Sequence, residues 1–153
     1  MPPGQEINCL LEDDRANSAT RVSGIHHITI LVRDLEAAME RYGRSLGVAH
    51  FVEEALPHRG VKSARFRVGD TWLVLVQPIA EGVPMRALER DGEGLFILSL
   101  GCSKEQARSI VGESEETDLQ ALGLRSGLEE WPVIDLDTEL IGSGGLQLTL
   151  VDM

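Results

Sequence analysis

The tightest constraint on this chain lies in residues 27–46, where one strand runs without a linker into one helix. Ile28, Ile30 and Val32 alternate with His27, Thr29 and Leu31, the period of two expected of a strand with two unlike faces. Asp34 follows at once, a short carboxylate suited to capping orphan N–H groups, and Leu35, Ala38, Met39, Tyr42 and Leu46 then recur at helical spacing. Gly47 stands where a left-handed C-terminal cap is least costly. Residues 51–52 and 61–68 (VKSARFRV), separated by a turn containing Pro57, predict two further strands. Gly69-Asp70 predicts a tight turn before TWLVLVQP, a strand that Pro78 ends. The first half therefore spells strand, helix and three strands.

The second half spells the same order. After a connecting stretch with Gly82, Pro84 and Gly92-Glu93-Gly94, residues 95–100 (LFILSL) predict a strand. Ser103 with Gln106 three residues on matches a capping box, so a helix is expected to about Val111. Beyond the acidic loop GESEETD, residues 122–124, 133–141 (VIDLDTELI) and 146–151 (LQLTLV) predict three strands. No residue-level repeat accompanies this duplication of element order. The expected fold class is α+β: one domain over residues 23–152, made of βαβββ modules at about 24–78 and 94–152. Residues 1–22, polar and without periodicity, are expected to form a leader that is mobile or held only through Cys9-Leu10-Leu11.

Charge narrows the partners. Fourteen basic against twenty-five acidic side chains leave a net charge of -11, which repels phosphate backbones and anionic lipid, so neither nucleic acid nor a membrane is expected. No apolar run approaches a membrane span, and MPPGQEINCLLEDD lacks the basic and apolar regions of a signal peptide, so a cytoplasmic location is expected. Cys9 and Cys102 form neither a metal-binding spacing nor a disulfide framework and are read as free thiols.

The run His26-His27-Ile28-Thr29-Ile30-Leu31-Val32 followed by Asp34-Leu35-Glu36, with the later GVKSARFRVGDTWLVLVQP and GEGLFILSL, resembles the vicinal oxygen chelate superfamily. The likeness covers about residues 24–152 and is greatest to methylmalonyl-CoA epimerases, with glyoxalases and bleomycin-resistance proteins as cousins. It implies paired βαβββ modules in a half-open, glyoxalase-like barrel whose concave face holds a divalent metal, and commonly a homodimer. It also implies where the ligands should stand. The first histidine falls on His27, but the remaining positions fall on Val74, Ile97 and Thr149, and that of a further carboxylate base on Ser63. A one-residue slip restores nothing, because TWLVLV and LFILSL hold no His, Asp or Glu. No metal and no cofactor are expected.

Strand periodicity turns this into a candidate site. If His27 faces the concavity, so do Thr29, Trp72, Val74, Ile97, Ser99, Gln147 and Thr149, giving a mostly apolar cup with a small polar set. These are the expected substrate-binding residues, with His58 at the mouth. His27 is the catalytic candidate because its ordinary pKa suits proton exchange, although it also reads as a buried structural histidine or a metal contact. His26, one residue away, is expected on the opposite face. His58 and Arg59 lie in a turn that is either solvated or binds an anionic substrate, and Trp72 either packs or stacks on a ligand. Two functions fit: a metal-independent isomerase, lyase or cyclase acting on a small carbonyl-containing metabolite, acyl-thioester or polyketide-like, or a non-catalytic antibiotic-binding protein of the bleomycin-resistance type, in which an acidic dimer captures a cationic drug.

Overall fold

Asp34 and Gly47 bracket the first helix as their chemistry dictates. In the computed structural model, which describes residues 22–112, 119, 123–127, 131–136 and 145–153, Asp34 accepts a hydrogen bond from the Ala37 N–H at 3.1 Å. Gly47 closes the helix in the left-handed region at φ 71°. This helix, α1 (Leu35–Leu46), follows β1 (Gly24–Leu31) directly. Then come β2 (Val52–Leu56), a single 3-10 turn (Pro57–Arg59), β3 (Val61–Val68) and β4 (Thr71–Pro78). The second half contains α2 (Val83–Asp91), β5 (Gly94–Cys102), α3 (Lys104–Ile110), β6 (Arg125–Ser126), β7 (Pro132–Asp135) and β8 (Leu146–Leu150). Ser103 caps α3 through the reciprocal bonds of a capping box, Gln106 N–H to Ser103 Oγ at 3.1 Å and Ser103 N–H to Gln106 Oε1 at 2.8 Å.

All strands join one eight-stranded mixed sheet in the order β2-β3-β4-β1-β5-β8-β7-β6, curled into a half-barrel. β1 runs parallel to β4 and β5 parallel to β8, while β1 and β5 pair antiparallel at the centre. Each half of the sheet thus repeats one order outward from its own first strand. The convex face is buried on the first side by α1, where Leu35, Ala38 and Met39 pack on Ala64, Leu75 and Ile30. On the second side Ala107 of α3 packs with Cys102, Ile134, Leu148 and Leu150. Because α1 and α3 occupy that face, the concave face is left to hold a cup. Cys102 is a buried free thiol, its pKa raised to about 11 by burial and then by Asp152, and Cys9 lies outside the described residues.

Three expectations need correction. The stretch expected to connect the halves contains α2: Pro84 sits in the first turn, where its missing N–H costs nothing, and Ala87 and Leu88 are buried against Leu56, Val61, Val76 and Phe96. The strand expected at 122–124 lies instead at Arg125–Ser126. Leu124 follows the turn at Gly123, its N–H donating to the Leu119 carbonyl at 3.2 Å, and its side chain joins the core near α3. The strand expected over 133–141 is seen as Pro132–Asp135, and residues 137–141 lie outside the described residues. Among the described residues, no helix is long and apolar enough to cross a membrane.

Candidate functional site

Strand register decides what enters the cup. His27 pairs with Trp72 on one side and Ser99 on the other, Thr29 with Val74 and Ile97, and Ser99 with Gln147, so these side chains share one face. His27 and Thr29 are buried, at 3% and 2% exposure. His26 does not obey the alternation. Ile25 pairs with Leu100 and His27 with Ser99, leaving His26 as the extra residue of a bulge, and a bulge turns adjacent side chains to one side. His26 Nδ1 and His27 Nδ1 are consequently 3.0 Å apart, one donating and the other accepting. This corrects the opposite-face expectation.

The pair is held neutral. Burial first, and then the charge His26 would carry, push the His27 pKa down to about 3, while burial and Arg67 lower that of His26. With Nδ1 engaged by its neighbour, His27 keeps Nε2 for a ligand, as a donor when His26 supplies the proton of the Nδ1 pair and as an acceptor when His27 does. Trp131, just before β7, lies against both rings, with centroids 4.6 Å from His27 and 4.8 Å from His26. The stack continues outward: Arg65 lies 4.5 Å from the Trp72 ring and 5.2 Å from that of Trp131, and Arg67 lies 4.9 Å from Trp72. Trp72 is therefore packed between cations rather than presented to the cup.

The cavity below this stack measures about 540 Å³. Of the expected residues, His27, Thr29, Ile97 and Gln147 line it. Trp72, Val74, Ser99, Thr149 and His58 do not: Val74 is 1% exposed beneath the surface, His58 points outward from the 3-10 turn, and Ser99 Oγ and Thr149 Oγ1 satisfy each other at 2.6 Å. The walls are apolar, from Val61, Val76, Phe96, Leu136 and Leu146, and Val83 and Pro84 of α2 close one end. Thr29 Oγ1 is buried without a hydrogen-bond partner, a hydroxyl available to a ligand.

Charge enters at the rim. Arg59, Arg125 and Asp135 all line the cavity. Arg125 donates to both oxygens of Asp135, at 2.6 and 2.9 Å, and Gln147 Nε2 donates to Oδ1 at 3.1 Å. Burial works to raise the Asp135 pKa, but these hydrogen bonds and the charges of Arg125 and Arg59 bring it below the usual carboxylate value. Sequence reasoning missed Trp131, Arg125 and Asp135. Asp135 was accessible in principle, since the period of two from Val133 puts it on one face, whereas Trp131 stands outside any periodic run.

The divalent ion implied for this fold does not fit the residues present. Among the four implied ligand positions, Val74 and Ile97 offer only hydrocarbon, and the Thr149 hydroxyl is engaged by Ser99. Trp131 covers His27 on the same face. Among the described residues, no three His, Cys, Asp or Glu side chains are grouped to bind a metal.

Comparison with known proteins gives one family. Residues 26–134 match the model of the Glyoxalase/Bleomycin resistance protein/Dioxygenase superfamily. The methylmalonyl-CoA epimerase of Mycobacterium tuberculosis shares the fold with a TM-score of 0.68 and 23% identity, over 86% of this chain and 90% of that one. A Streptomyces coelicolor methylmalonyl-CoA epimerase variant in complex with 2-nitronate-propionyl-CoA gives 0.67 and 21%, over 86% of this chain and 99% of that one. Uncharacterized protein YqjC of Bacillus subtilis (strain 168) is 29% identical over 89 residues, 56% of this chain and 64% of that protein. The match therefore spans less than two thirds of that relative's length.

Proposed function

Because this chain belongs to the Glyoxalase/Bleomycin resistance protein/Dioxygenase superfamily, we propose that its cup takes up a small carbonyl-containing metabolite and promotes, without a metal, an isomerase, lyase or cyclase reaction through its enol form. The observation that carries this reading is a neutral His27 beside the unpartnered Thr29 hydroxyl, at the base of a largely apolar cavity. In the tautomer in which His27 Nδ1 accepts from His26, its Nε2–H and the Thr29 hydroxyl are two donors for one carbonyl oxygen, and such donors strengthen as that oxygen gains charge, which lowers the barrier to enolisation. A pKa of about 3 makes His27 a poor proton acceptor at neutral pH, so its role moves from proton exchange to oxygen binding. The proton acceptor is then Asp135, the carboxylate of the cavity lining among the described residues. Held below its usual pKa it is a weak base, which suits a carbon acidified by two carbonyl groups, as in an acyl-thioester with a β-keto group or a polyketide.

The weak basicity of both groups also favours a second reading, a binding protein that does no chemistry. Its ligand would not be a cationic drug, because Arg59 and Arg125 outnumber Asp135 in the described lining despite the net charge of -11 over the chain. One experiment separates the readings: a 2-methylacetoacetyl thioester in D2O at pH 6, with the C2 proton followed by NMR. The protein is expected to accelerate exchange well above the buffer rate. Binding by calorimetry without acceleration would leave the binder, and absence of binding would remove both.

The cytoplasmic location and the homodimer belong to this proposal. Support for the dimer comes from β2, an outer strand of five residues that pairs on one side only. Light scattering at micromolar concentration is expected to give twice the chain mass, and a monomer mass would remove the dimer from the proposal.

A further inference from the structure

The two ends of the curled sheet contribute to one charged cluster. Arg59 sits in the turn between β2 and β3, at one end of the strand order, and Arg125 and Asp135 lie on β6 and β7 at the other. All three line the same cavity. Asp135 is matched in charge by Arg125, which donates to both its oxygens, and Oδ1 accepts a further bond from Gln147, so that among the described residues one acceptor site on Oδ2 stays open. One cation is thereby matched to one anion. Arg59 is the cation left over among the described lining residues, and its Nε is buried with no hydrogen-bond partner. Burial and the nearby charge of Arg125 lower its pKa while Asp135 raises it, so it stands within electrostatic reach of the pair. An Nε–H that has lost water without gaining an acceptor is an unfavourable arrangement that an incoming anion, reached also by the outer guanidinium nitrogens, completes.

We propose that Arg59, beside the Arg125–Asp135 pair, binds a single carboxylate of the ligand at the mouth of the cup, which makes the natural ligand a monoanionic carboxylic acid with an apolar body. The inference rests on the reading of the cup as a small-molecule site and specifies its ligand class. The planar fork of Arg59 matches a carboxylate, whose one negative charge equals the one unmatched positive charge among the described lining residues. A dianionic phosphate would instead place excess negative charge beside Asp135. The apolar walls, with Phe96 and Ile97 among them, then take the rest of the molecule.

The test uses three compounds that share a phenyl body, titrated at pH 7.5 into the full chain by calorimetry: 3-phenylpropanoate, 3-phenylpropanamide and 2-phenylethyl phosphate. The acid is expected to bind at least tenfold more tightly than the amide. In Arg59→Gln, with folding checked by circular dichroism, the amide should bind within about twofold of wild type while the preference for the acid disappears. Arg59→Lys, which keeps the charge without the fork, should retain part of the preference. Equal binding of acid and amide by wild type, a preference surviving in Arg59→Gln, loss of amide binding in a folded Arg59→Gln, or tighter binding of the phosphate ester would each overturn the carboxylate subsite. In those cases amide binding by wild type would still support the cup as a ligand site. Failure of all three compounds to bind would overturn both.

Discussion

Replacing His27 by phenylalanine is expected to lower protein-dependent proton exchange of the thioester by about 10² or more, the cost of removing one preorganised donor to a developing oxyanion. Phenylalanine keeps the aromatic contact with Trp131, whose ring centroid is 4.6 Å from that of His27, and removes both ring nitrogens. Glutamine tells the donor from the base. Its amide N–H can still reach an oxygen, so His27→Gln should keep activity within about tenfold of wild type if His27 binds oxygen, whereas a base would be lost equally in both variants. Exchange rates for the three proteins, measured at saturating thioester, check this. Equal loss in the two variants would return His27 to proton exchange, and unchanged rates in both would remove it from the mechanism.

Much of the frame beneath this site is legible because it rests on local rules. The alternation from His27 to Val32, the Asp34 cap, the turn at Gly69-Asp70 and the Ser103–Gln106 box each depend on residues within a few positions of one another, and each forms as expected. What escaped depends on tertiary context. The Pro84 segment is a helix because its first turn tolerates proline, a local signal, and because Ala87 and Leu88 find a core across the cup, which is not visible within nine residues. His26 escaped because a bulge, set by pairing with β5, suspends the period of two. The rim cluster escaped because Arg59 and Arg125 are 66 positions apart in sequence (125 minus 59) and meet only when the sheet curls. The likeness to the superfamily told where a metal should sit, and the sequence told that its ligands are absent. That an indole and a second imidazole pack beside the remaining histidine could be seen only in three dimensions.

Acid should destabilise the protein through the same histidine. The folded-state pKa of His27 is about 3 against an ordinary value of 6.5, so between these values the unfolded chain binds a proton that the native state does not. Stability is therefore full above the unfolded pKa and falls as pH drops towards the folded one, at up to about 1.4 kcal/mol per pH unit. From pH 6 to pH 4 the loss attributable to His27 is about 2.5 kcal/mol. The groups around the ring do not offset it: His26 is itself lowered, Arg65 lies against Trp131, Arg67 acts on His26, and Asp135 in the same cavity is bound to Arg125. Asp135, whose pKa is depressed, contributes in the same direction, but its stabilisation is lost chiefly as pH falls below the ordinary aspartate value of 3.8. Urea unfolding at pH 4, 5, 6 and 7 should give a midpoint that falls steeply with acid in wild type and less steeply in His27→Phe, which has nothing to protonate at that position. Parallel pH profiles for the two proteins would show that His27 is not held neutral in the fold, and its exclusion as the proton acceptor would fall with that result.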